Sequence, residues 1–164
     1  MAISVSNSIE ISATPQLVWE VFTDIYSWSK WNPLIVDVHQ ITGGSVWIPG
    51  GMFIQKYKSD FIPEEIIAKS VVREVFPARK VTWLGEVLGS SGVTSYEFVP
   101  FGPKTVVAVT EEFAETQSSQ LNFVIEHTTD NFLRLSLVGL KRYIEDIIGH
   151  KTGNRTSNRV KPNG

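Results

Sequence analysis

The chain has 164 residues, 42% hydrophobic and 20% charged, a length and balance that fit one globular domain and exclude a disordered or fibrous design. Its formal charge is −2, but residues 150–164 hold Lys151, Arg155, Arg159 and Lys161 with no acid, so the first 149 residues carry 11 basic against 17 acidic side chains. A body that acidic repels phosphate backbones and makes nucleic acid a poor partner; the absence of Cys removes thiolate nucleophiles, cysteine-ligated zinc, iron–sulfur clusters and disulfides.

In residues 3–13, Ile3, Val5, Ile9 and Ile11 share one parity, the pattern of a half-buried strand. Thr14-Pro15 reads as an N-cap and first helical residue, and Val18, Trp19, Val21 and Phe22 make the apolar face of the helix that follows. A second short helix runs from Asp24 through Tyr26, Trp28 and Trp31, and Asn32-Pro33 ends it because proline disfavours helix at the residue before it. From Leu34 to about Thr116 the spacing predicts six strands, near 34–41, 52–58, 65–76, 79–88, 93–101 and 104–116. Glycine- and proline-rich breaks separate them, and such short connections imply an antiparallel meander. The glycine-rich stretch 43–51 is expected as a mobile loop at a cavity mouth, with Trp47, Ile48 and Met52 as lid residues.

Residues 120–148 lack turn signals and carry helical periodicity from Phe132 onward, with Phe132, Ser136, Gly139, Leu140, Tyr143 and Ile147 on the face expected to meet the sheet. Arg134, Lys141, Arg142, Glu145 and Asp146 interrupt this apolar stretch, so no membrane span is expected. The opening M-A-I-S-V-S-N-S lacks the basic and apolar regions of a signal peptide, which leads to the expectation of a cytoplasmic protein. The division expected is a single domain over 1–149 and a disordered basic tail over 150–164.

V-W-E-V-F-T-D at 18–24 followed by W-S-K-W-N-P at 28–33 resembles the opening of the START-like superfamily that includes birch pollen allergen, in its polyketide cyclase/dehydrase-like branch. The resemblance continues in E-V-F-P-A-R-K-V-T-W at 74–83, Y-E-F at 96–98, E-E-F at 111–113 and L-K-R-Y-I-E at 140–145, and spans residues 3–149. It implies an α+β helix-grip fold: a curved seven-stranded antiparallel sheet wrapped around a long C-terminal helix, with two short helices after the first strand. It also implies a hydrophobic cavity, but no single reaction, because such folds host carriers, sensors, cyclases and lyases.

Eighteen aromatic residues exceed what a domain this small needs to close its core, which suits a cavity for a planar apolar ligand or, more simply, a ring-rich core. The expected ligand-binding residues are Trp28, Trp31, Trp83, Phe98, Phe132, Ser136, Gly139 and Leu140. Ser136 orients a ligand or bonds the carbonyl four residues back. Gly139 gives up about 1 kcal/mol of helix propensity to make room for a ligand or for a sheet residue such as Trp83.

Arg73, Glu111, Tyr96 and Tyr143 are the catalytic candidates. Arg73 shares parity with Val71 and Val75, so it either points a guanidinium into the cavity to meet an oxyanion or lies solvated outside. Glu111 shares parity with Val107, Val109 and Phe113 and is expected inside, as a general base or as the partner of Arg73. The three His residues form no metal-ligand spacing and no phosphate loop precedes a helix, so no metal or cofactor is expected. Three functions remain open: an enzyme that cyclises, dehydrates or isomerises a small hydrophobic molecule, a carrier or sensor that only binds it, and, as the resemblance implies for some related domains, a chaperone-partner module that uses the outer sheet surface. Oligomeric state is not legible.

Overall fold

The computed structural model describes residues 2–157. Strand β1 (Ala2–Ile11) leads into helix α1 (Pro15–Thr23), a 3-10 turn (Ile25–Ser27) and the single-turn helix α2 (Trp28–Trp31). Six strands follow, β2 (Ile35–Gln40), β3 (Met52–Ser59), β4 (Ile62–Phe76), β5 (Lys80–Val87), β6 (Ser90–Phe101) and β7 (Lys104–Ala114), and the chain ends in helix α3 (Ser119–Ser157). The seven strands form one antiparallel sheet in the order β1-β7-β6-β5-β4-β3-β2. From β2 onward each strand pairs with its successor, and β1 pairs with the last strand, so this is the helix-grip architecture. Helix α3 is drawn through Ser157, into the stretch expected as a tail; residues 158–164 of that stretch lie outside the described residues.

Local chemistry explains the boundaries. The Thr14 hydroxyl accepts from the Leu17 amide at 3.3 Å, and Pro15 has no amide to leave unbonded at the first helical position. Asn32 ends α2 in extended geometry before Pro33. The β5–β6 turn is Leu88-Gly89, both at positive φ (53° and 73°), the conformation a two-residue hairpin turn requires.

Register places the concave face. Val72, Trp83, Thr94, Glu111 and Val5 lie opposite one another across five strands, and Phe53, Ser70, Gly85, Gly92 and Phe113 form the neighbouring row. Helix α3 runs alongside β1 in the same direction. Asn7 donates to Asp130 at 3.0 Å, Lys141 donates to the Glu10 carbonyl at 2.7 Å, and the Ser12 amide donates to Glu145 at 3.1 Å. The side of α3 turned inward is centred on Leu133, Leu137, Leu140 and Ile144, all buried, about 80° around the helix from the face that periodicity suggests.

A candidate active site around a half-buried glutamate

The aromatic excess fills most of the interior with itself. Phe22 contacts the rings of Trp28, Trp47, Trp83, Tyr96 and Phe98 at centroid distances of 4.7–6.4 Å, and Trp83 stacks on Tyr96 at 5.6 Å and 20°. Trp47 joins this cluster and its indole N–H donates to the Thr23 carbonyl at 2.6 Å, so it is pinned inward and is not a lid. What remains open between sheet and helix is a narrow cavity of two chambers. The larger, about 40 Å³, is lined chiefly by Gln55, Tyr57, Ser70, Gly85, Gly92, Thr94, Glu111, Phe113, Thr128, Thr129 and Phe132. The smaller, about 20 Å³, lies among Phe22, Trp28, Trp31, Trp83, Tyr96, Leu133 and Ser136. Gln55, Trp83, Thr94, Glu111 and Phe132 border both, so the chambers are one space pinched in the middle. At ~10–15 Å³ per water, such volumes hold a few waters, and a larger occupant enters only by displacing side chains.

Glu111 stands at the centre. Thr94, directly opposite on the next strand, donates its hydroxyl to one carboxylate oxygen at 2.7 Å. Burial pushes the pKa up to about 7 from 4.5, and the Thr94 bond holds it back only in part. Burial also raises the phenols of Tyr57 and Tyr96, with a further push from the charge of Glu111. No hydrogen-bond partner among the described residues engages either phenol or the side-chain amide of Gln55. These groups therefore meet the cavity with bonding capacity to spare.

Of the residues expected from sequence, Glu111, Tyr96, Trp28, Trp31, Trp83, Phe132 and Ser136 line this space. Ser136 makes the backbone bond, donating to the Phe132 carbonyl at 2.7 Å, and accepts from the Asn32 side chain. The other five lie elsewhere. Arg73 is exposed on the outer face beside Glu74, Lys80 and Thr82. The register of β4 on β5 shifts between Val72 and Glu74, so an extra residue at Arg73 breaks the alternation that linked it to Val75. No Arg73–Glu111 pair exists. Tyr143 lies on the flank of α3, in a surface groove with Lys30, Pro33 and Arg142. Gly139 borders the same groove, and a Cβ there would overlap the Trp31 carbonyl oxygen; the glycine lets α2 and α3 touch and makes no room in the cavity. Phe98 and Leu140 are fully buried in the core, Phe98 edge-on to Trp19.

Gln55, Tyr57, Ser70, Thr94, Thr128 and Thr129 were not expected. Strand alternation carried the signal for two of them, since Gln55 shares parity with Phe53 and Tyr57, and Thr94 shares it with Tyr96 and Phe98. Among the described residues, no three His, Asp or Glu side chains come together as a metal site, and no helix is long and apolar enough to cross a membrane.

The family model described as polyketide cyclase / dehydrase and lipid transport matches residues 2–145. The chain belongs to this family. The polyketide cyclase/dehydrase and lipid transport fold is shared with several solved structures. The aromatase/cyclase ZhuI from Streptomyces sp. R1128 superposes with a TM-score of 0.79 at 14% identity, covering 90% of this chain and 96% of that one. A START superfamily protein from Mycobacterium smegmatis gives 0.73 at 14% identity, covering 88% and 98%. The major latex-like protein 151 of Panax ginseng gives 0.68 at 16% identity, covering 87% and 97%. No curated protein matches the chain by sequence.

Proposed function

We propose that the protein takes a small, mostly apolar molecule into the cavity and moves a proton on it, with Glu111 as the acid–base group, in a dehydration, cyclisation or isomerisation that needs no cofactor. The observation that carries this reading is the Glu111 carboxyl itself. It is half-buried, bonded by Thr94 at one oxygen, and desolvated enough that its pKa is pushed up to about 7, where a general acid–base works best. Around it the Tyr57 and Tyr96 phenols stay protonated and can donate to a developing oxyanion, and the Gln55 amide can do the same. Binding alone needs one polar group to orient a ligand; four converge here. The family's own description covers cyclases, dehydrases and lipid transport.

Carriage without chemistry is the second reading. It is favoured by the ring cluster that occupies most of the interior, a surface suited to holding an apolar body.

The elimination of 5-nitrobenzisoxazole separates the two. A carboxylate removes the ring C–H proton, the N–O bond breaks, and the product is a coloured cyanophenolate, with no other reactant. Turnover should exceed that of free acetate at equal carboxylate concentration and rise with pH through an inflexion near 7. Glu111→Gln should abolish it while the probe still quenches tryptophan fluorescence. Binding without turnover in the native protein would establish the carrier reading instead.

A further inference from the structure

Among the described residues Glu111 is the one charged side chain bordering the cavity, and no Lys, Arg or His lines either chamber. Thr94 bonds one carboxylate oxygen, and no described side chain donates to the other. The walls next to it are rings: Tyr57 against Phe132 at 4.8 Å and Trp83 against Tyr96 at 5.6 Å. An aromatic face carries negative potential and attracts a cation, most strongly where water is excluded. A carboxylate beside several such faces favours one sign of ligand charge twice over, and it repels anions for the same reasons.

We propose that the cavity selects an organic cation, a primary or secondary ammonium group carried on a small apolar or aromatic body. The inference rests on the reading of Glu111 as the working group of the cavity. The ammonium occupies the free side of the Glu111 carboxylate, in reach of the Gln55 amide oxygen, and the apolar body lies toward Trp83 and Phe132. Of the two placements the sequence left open for Arg73, the inward one that would meet an oxyanion does not hold, because that guanidinium is outside and the charge inside is negative.

Binding is then linked to pH. The titratable groups facing Glu111 are Tyr57 on β3 and Tyr96 on β6, and both stay protonated below pH 9, since burial raises them above the usual phenol range. Glu111 alone changes charge. Below pH 7 an ammonium ligand must expel the carboxyl proton, so its affinity climbs by up to about tenfold per pH unit and flattens above pH 7.

Benzylamine, benzyl alcohol and benzoate share one ring and differ in charge, and their dissociation constants can be measured by NMR titration of the full chain. At pH 7.5 benzylamine should bind about tenfold more tightly than benzyl alcohol, and benzoate more weakly than both. Its affinity should fall between pH 7.5 and 6, while that of the alcohol stays flat. Glu111→Gln should bring benzylamine down to the level of the alcohol. The variant keeps an acceptor for Thr94, and its thermal unfolding reports that it is folded. Equal affinity of amine and alcohol, or an amine preference that survives Glu111→Gln, overturns the cation proposal while leaving the proton-transfer reading to stand on the elimination assay. If none of the three binds and the elimination is not accelerated, both readings fall.

Discussion

A carboxyl partly shielded from water ties the stability of the whole fold to its protonation. The pKa of Glu111 is about 7 in the folded protein against 4.5 for an ordinary Glu, so between these values the folded state binds more protons than the unfolded one. Stability is therefore fully present below pH 4.5 and declines as pH rises through 7, by roughly 3 kcal/mol at most. Urea unfolding at pH 5 and pH 8 should show that decline, and Glu111→Gln should flatten it. Glu145 works in the opposite sense: the hydrogen bond from Lys141 lowers its pKa, so its contribution is lost only at more acidic pH. At Gly139 a methyl group would gain about 1 kcal/mol of helix propensity but strike the backbone carbonyl of Trp31, an atom that cannot turn aside. Gly139→Ala should therefore lower stability by a net ~1–3 kcal/mol and leave cavity binding unchanged in the folded fraction. Polarity on an inward parity made Glu111 legible in the sequence. The same rule would have found Thr94 and Gln55, whereas nothing in a single chain announces that Gly139 faces another helix and not a void.

At the scale of elements, the strands were readable because alternation and turn residues agree. Strands β3, β5 and β7 lie within a few residues of their predicted spans. Two features escaped. A bulge inverts the alternation of β4 without any sequence mark, which is how Arg73 passed for an inward residue. The contact face of α3 depends on where the sheet edge sits, and its charged residues report only the opposite side: Lys141 and Glu145 turn back to bond β1 and the segment after it. The β5–β6 hairpin supplies a prediction of its own. Leu88 is bulky, 37% exposed, and held at φ 53°, which costs about 1 kcal/mol for a side chain of this kind. Leu88→Asn would place Asn-Gly, the preferred pair for this turn, and should raise the unfolding free energy by about 0.5–1 kcal/mol. Denaturant melts of the two proteins would measure it, and an unchanged midpoint would mean that Leu88 earns back its strain through packing.

For the whole molecule, the register that joins the first strand to the last, from Ala2 opposite Ala114 to Ile11 opposite Thr105, sets an order of events. During synthesis β1 leaves the ribosome about 95–110 residues ahead of its partner, a wait of roughly 5–20 s at ordinary elongation rates. Throughout that interval Ile3, Val5, Ile9 and Ile11 have no sheet to cover them, and an extended apolar segment is a template for pairing with other chains. The intervening Ser4, Ser6, Asn7, Ser8 and Glu10 keep the waiting segment wet. In the finished protein Ser6 contributes only an exposed hydroxyl pair with Thr110 at 3.0 Å, so its value lies before folding is complete. Ser6→Val should leave the melting temperature nearly untouched and lower the soluble yield of fresh or refolding chains, a loss that grows with protein concentration. Equal light scattering by the two proteins during refolding would place the protection of β1 elsewhere.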